Sequence, residues 1–98
     1  RVHIGWPAAA DAHPRTVQET LLEAARSHPE VLAAPEPTAL VVEFEGDTIR
    51  YDLELWIRDP IRAPYITSDV RVRIWELFAE RGIEMNVPQD VLLVKADE

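Results

Sequence analysis

Residues 38–58, TALVVEFEGDTIRYDLELWIR, constrain the fold more than any other stretch of the chain. Leu40, Val42 and Phe44 fall on one face of a first strand, and Ile49, Tyr51, Leu53, Leu55 and Ile57 on one face of a second. Glu45-Gly46-Asp47 makes the tight turn between them. A period of two held this long belongs to a half-buried β-ribbon. The opposite face of the second strand carries Arg50, Asp52, Glu54, Trp56 and Arg58, and it is solvated apart from Trp56. A ribbon with one greasy face needs an apolar layer laid over it, so the rest of the chain has to supply amphipathic helices.

Two helical patterns do so. Residues 14–27 place Val17, Leu21, Ala24 and Ala25 inward, with Leu22 beside them. Pro14 fits a first helical turn, and residues 16–19 match a capping box that would start the helix slightly later. His28-Pro29 ends it. Residues 28–37 hold three prolines and form an extended connector with Val31 and Leu32 tucked in. Residues 59–67 read as a proline-broken loop, and a second helix follows Ser68, whose hydroxyl caps it beside a favourable Asp69 charge. Val70, Ile74, Leu77 and Phe78 form its buried stripe, Trp75 lies at the margin, and Gly82 sits where a left-handed cap belongs.

A short strand over residues 1–5 opens the chain, ended by Trp6-Pro7, because proline donates no ladder hydrogen bond. A last strand over residues 90–95 closes it. Its centre, Val91, Leu92, Leu93 and Val94, is apolar on both faces, as in a strand covered on both sides or paired with another chain. The order β-α-β-β-α-β makes residues 1–98 a single α+β domain, a ferredoxin-like plait with two helices on one face of a mixed sheet.

A formal net charge of -8, from 18 acidic against 10 basic side chains, argues against nucleic acid and against an anionic membrane surface. No apolar run is long enough to span a membrane. The absence of cysteine removes disulfides, thiolate nucleophiles and zinc knuckles together. Three glycines leave nothing to build a phosphate loop, and no glycine elbow surrounds Ser68. His3, His13 and His28 are scattered, the last two at helix boundaries before prolines. Asp52 and Glu54, with Glu43 and Glu45 across from them, could bind Ca²⁺ or do acid–base work, but Arg50 and Arg58 make a solvated face the better reading. No catalytic residue, metal site or cofactor is expected, and the chain is read as a non-enzyme. Trp56, a large aromatic on a wet sheet face, is the interface candidate.

Residues 28–60, HPEVLAAPEPTALVVEFEGDTIRYDLELWIRDP, and residues 68–94, SDVRVRIWELFAERGIEMNVPQDVLLV, resemble the C-terminal cytoplasmic domain of the small-conductance mechanosensitive channel family. The likeness lies in the proline-bounded connector, the strand pair with its late Trp, the helix ending at Gly-Ile, and the Pro-Gln tail. The family usually has an aspartate before the proline that opens the first helix; His13 stands there, which weakens the expected cap. The resemblance implies one subunit of a homoheptameric, tension-gated channel of the bacterial inner membrane. The domain would lie on the cytoplasmic side and form part of a vestibule that inorganic ions cross. Contact with the membrane would come only through helices upstream of Arg1, itself not a Met. The resemblance also implies that residues 90–95 leave the sheet for an intersubunit barrel. Trp56, Val91, Leu92, Leu93 and Val94 would meet neighbouring copies, and Gly82, Pro88 and Gln89 would shape the turn that sends the tail away. The reading from another class is a ferredoxin-like regulatory module that binds a small ligand or metal, which predicts a concave site. An acylphosphatase-like enzyme would need a glycine-rich anion loop that residues 5–8 do not supply.

Overall fold

A computed structural model describes residues 1–86. In chain order it contains β1 (Val2–Ala9), α1 (Pro14–Arg26), β2 (Thr38–Glu45), β3 (Thr48–Leu55), a 3-10 turn (Pro60–Arg62) and α2 (Ala63–Arg81). The strands lie in the order β1-β3-β2, and both pairings are antiparallel. Among the described residues the sheet is therefore antiparallel throughout, not mixed. The expected strand over 90–95 lies outside the described residues.

β3 is central because its alternation is the cleanest in the chain. Ile49, Tyr51, Leu53 and Leu55 are all buried, whereas Arg50 is exposed and Asp52 and Glu54 are only partly covered. Both helices cover the same face: α1 lies over β2 and β3, and α2 over β1, with the two helices in contact. Val17, Leu21, Ala24 and Ala25 from α1 meet Ile66, Val70, Ile74, Leu77 and Phe78 from α2 above the inward residues of the sheet. Each fully buried Leu or Ile here contributes about 1.5–3 kcal/mol relative to exposure. The result is an α+β plait of two layers.

β1 runs further than residues 1–5, straight through Trp6-Pro7. Pro7 lies opposite Arg50, and β1 is an edge strand among the described residues, so the missing proline N–H breaks no required bond. Trp6 lies opposite Tyr51 and packs edge-on against Phe78, with ring centroids 6.0 Å apart. The Trp6 Nε1 and Tyr51 hydroxyl atoms are buried with no hydrogen-bond partner among the described residues. Burial raises the Tyr51 pKa.

β2 departs most from expectation. Leu40, Val42 and Phe44 do not line the core; Ala39 is the buried residue, and Val41 packs beside it. The cause is the register against β3. Directly opposed residues share a face, and Ala39 and Val41 oppose Leu53 and Tyr51, so Leu40 opposes solvated Asp52. A bulge between Val41 and Glu43 then shifts the parity, which brings Phe44 opposite Ile49, yet Phe44 is 69% exposed. The second strand also stops at Leu55; Ile57 makes only an isolated bridge to Val31.

α1 starts at Pro14, with no delay to the capping box. His13 is its cap, and the Nδ1 atom accepts the Arg15 N–H at 3.1 Å. α2 starts five residues earlier than Ser68 suggested. Pro60 and Pro64 both fall in first turns, where proline costs no hydrogen bond, so neither breaks the segment. The side chain that caps this region is Asp59, which accepts the Ile61 N–H at 3.1 Å, while Ser68 and Asp69 are exposed on the helix. Gly82 closes α2 with φ 66°, the left-handed cap that the sequence predicts.

Candidate assembly surfaces

Several polar side chains of this domain tie its elements together. Thr20, the one buried polar residue in the described core, donates to the Thr16 carbonyl at 2.8 Å and accepts from Arg81 Nη1 at 2.9 Å. Arg81 Nη2 also reaches both Glu23 carboxylate oxygens at 2.7 Å, and that hydrogen bond holds the Glu23 carboxyl below the usual carboxylate range. The end of α2 is thereby tied to the middle of α1. On the connector, Glu30 takes a forked pair of bonds from Arg62 at 3.2 and 3.0 Å, which lowers the Glu30 pKa and raises that of Arg62. The Arg62 guanidinium stands 5.0 Å from the Tyr65 ring centroid. His28 Nδ1 accepts the Glu30 N–H at 3.0 Å, so its Nε2 is the protonated atom, and it donates to Asp69 at 2.8 Å. On the open sheet face, Asp52 and Glu54 are matched by His3 and Arg1 at 2.8 to 3.1 Å.

This arrangement bears on chemistry. His28 has no lone pair left to act as a base, and Ser27 donates to the Ala24 carbonyl, so the Ser27-His28-Asp69 juxtaposition is structural. Among the described residues no three His, Cys, Asp or Glu side chains are placed to hold a metal ion. The described surface has open grooves, one of about 440 Å³ between the end of α1 and α2, beside His28, Asp69 and Arg73. No described helix is long and apolar enough to cross a membrane.

What remains unsatisfied is apolar surface. Leu40, Val42 and Phe44 are each more than half exposed on β2, the strand at one edge of the described sheet. A second exposed set, Ile61, Tyr65, Val72 and Trp75, runs along α2 and the turn before it, with Trp75 60% exposed. Neither set is evident from the sequence alone: its alternation points Leu40, Val42 and Phe44 inward, and a helix start at Ser68 leaves Ile61 and Tyr65 out of the second set. Read from Ala63 at 3.6 residues per turn, Tyr65, Val72 and Trp75 line up on one side.

The expected contact residues fare differently. Trp56 is half-buried just past β3, and its carbonyl accepts the Leu32 N–H at 2.8 Å. Gly82 sits at the root of the tail, as described above. After it, Glu84 accepts the Ala9 N–H and the Asn86 side chain donates to the Asp47 carbonyl, both at 2.8 Å. Pro88, Gln89, Val91, Leu92, Leu93 and Val94 lie outside the described residues.

Residues 1–85 match the family described as mechanosensitive ion channel MscS, C-terminal. The chain belongs to this family. An uncharacterized MscS family protein of Haemophilus influenzae is 29% identical over 82 residues, which span 84% of this chain but 7% of that protein. The cryo-EM structure of Arabidopsis thaliana MSL1 superposes with a TM-score of 0.71 at 15% identity, covering 89% of this chain and 33% of that one. The A320V form of MSL1 gives the same TM-score and covers 35% of that chain. At this identity the structural likeness concerns the fold: the MscS C-terminal plait recurs in a plant protein with most side chains changed. The MscS-type domain spans a small part of each of these longer relatives.

Proposed function

We propose that this domain forms part of the cytoplasmic vestibule of a mechanosensitive channel, where it associates with copies of itself and carries out no chemistry. The observation that carries this reading is the family match over residues 1–85. Two features support it: the closest ionic groups are tied within the domain, and large apolar side chains on β2 and on the outer side of α2 are left exposed. The assembly would be a homoheptamer in a bacterial inner membrane, anchored by helices elsewhere in the longer protein, with inorganic ions in transit. The tail strand Val91-Leu92-Leu93-Val94, greasy on both faces, would join its equivalents in a closing barrel, with Gly82, Pro88 and Gln89 shaping its departure and Trp56 at a subunit contact. The net charge of -8 would raise the local cation concentration near the vestibule openings, within about 8 Å at physiological salt.

The test is a full-length channel carrying Val91→Glu and Leu93→Glu, sized by native mass spectrometry and challenged by hypo-osmotic shock. Loss of the oligomer and of shock protection is the expected outcome. Intact heptamers with both charges in place would remove the tail from the assembly, and a protein with no tension response in its unmodified form would remove the channel reading itself.

A further inference from the structure

The step His-Pro occurs twice in the chain, once at each end of α1, and both copies fold the same way. His13 Nδ1 accepts the N–H of Arg15, two residues on, at 3.1 Å; His28 Nδ1 accepts the N–H of Glu30, two residues on, at 3.0 Å. Proline has no N–H, so the amide after it is the first that the ring can take. His13 is the N-cap of α1, and His28 follows the C-cap Ser27 and opens the connector. A neutral imidazole has one acceptor nitrogen, and an imidazolium has none. The chain entering α1 and the chain leaving it are therefore each closed by a bond that exists only while a ring is neutral.

The surroundings decide what a proton would change. The His28 side chain is only 10% exposed, and its Nε2 donates to Asp69 of α2 at 2.8 Å. Arg73 and Glu76 of α2 line the same groove, and Glu30 beside it is bound by Arg62. Asp69 holds a charged ring as well as a neutral one, so protonation removes the Glu30 N–H bond and leaves the tie to α2. His13 is exposed, with Asp11 and Arg15 near it in the chain, and among the described residues no ion pair reaches it from another element. A positive charge there is also adverse to the positive end of the helix. His3 is the contrast. Its Nδ1 lies 2.8 Å from Asp52 and its Nε2 3.4 Å from Glu54, which Arg1 also meets, so a charged ring can donate to both carboxylates of β3. We propose that the two His-Pro steps form an acid-release clamp on α1. When the rings take up protons between about pH 7.5 and 5, the range in which imidazole ordinarily changes charge, the Arg15 and Glu30 amides lose their acceptors. Both junctions of α1 then loosen while the β1-β3 pairing stays closed. The Glu23 and Glu30 carboxyls, held below the usual carboxylate range, remain charged throughout.

The test follows the 98-residue chain by NMR across that range, reading imidazole ¹⁵N shifts for the charge of each ring and amide hydrogen-exchange protection for each N–H. Protection at Arg15 and Glu30 is expected to fall about fivefold as His13 and His28 charge, with the β1-β3 amides unchanged. A second chain carries His13→Asn and His28→Asn, whose side-chain oxygens accept the same bonds but do not titrate; circular dichroism verifies its fold. Its Arg15 and Glu30 amides are expected to keep their protection throughout. Rings that charge while both amides stay protected in the unmodified chain would overturn the clamp, as would rings that stay neutral down to pH 5. A response at one end only would overturn the paired release. The same loss in the Asn variant would assign it to another titrating group, and loss at the β1-β3 amides in step with Arg15 and Glu30 would make it global unfolding; either overturns the proposal.

Discussion

Arg81 at the end of α2 holds both carboxylate oxygens of Glu23 in α1 at 2.7 Å, and with the same guanidinium it reaches the Thr20 hydroxyl, completely buried beneath it. This fork makes the helix layer a unit. It also sets an acid limb. The Glu23 pKa is lower in the folded chain than in the unfolded one, chiefly through the Arg81 hydrogen bond, and that of Glu30 is lower through Arg62. A carboxylate of depressed pKa adds stability that is present above its unfolded value and lost as pH falls through its folded value.

The chain should therefore lose thermal stability as pH drops from about 5 toward the depressed values of these two groups. A Glu23→Gln, Glu30→Gln double variant should show a flatter acid limb over that window, with little change in slope near neutrality. Melting temperatures measured across the range by circular dichroism check this; parallel limbs for parent and variant would contradict it.

Gly82 adopts φ 66° with open space where a Cβ would stand. Gly82→Ala meets no clash, so its cost is conformational alone, about 1–2 kcal/mol for an L residue held in the left-handed region. Chemical denaturation should show a lowered midpoint with an unchanged slope. A neutral result would mean that the cap relaxes to another conformation.

His13 caps α1 by an imidazole nitrogen that must be unprotonated to accept the Arg15 N–H. Asp is among the strongest capping residues and adds a favourable charge at a helix start. His13→Asp should stabilise the chain by about 0.5–1 kcal/mol at neutral pH. A drop in melting temperature would show that the imidazole makes a contribution other than capping.

The plait was legible because β3 and the buried stripes of both helices repeat without ambiguity. Leu53, Leu55, Val17, Leu21, Ile74 and Leu77 all sit where their spacing put them. Three local features were not. The sequence TALVV offers two apolar alternations, and only the pairing with β3 decides that Ala39 and Val41 go inward. Pro60 and Pro64 read as breakers, although first-turn prolines are helix starters, so five residues of α2 and half of its outer stripe were lost. Pro7 reads as the end of β1, yet an edge strand tolerates it. The same errors concealed the candidate site: both uncovered surfaces depend on a strand parity and a helix start that are set by tertiary pairing. Trp75, assigned to the margin of the core, is the more exposed tryptophan, and Trp56 is half-buried.

Ile83 still donates to the Phe78 carbonyl of α2, but the next two bonds, Ala9 N–H to the Glu84 carbonyl and Asn86 to Asp47, moor the departing chain to β1 and to the β2-β3 turn. A pull on the chain beyond Asn86 would meet the bond to the β2-β3 turn first, then the one to β1, and only then the end of α2. The tail thus leaves the domain from a point where both layers, sheet and helix, hold it.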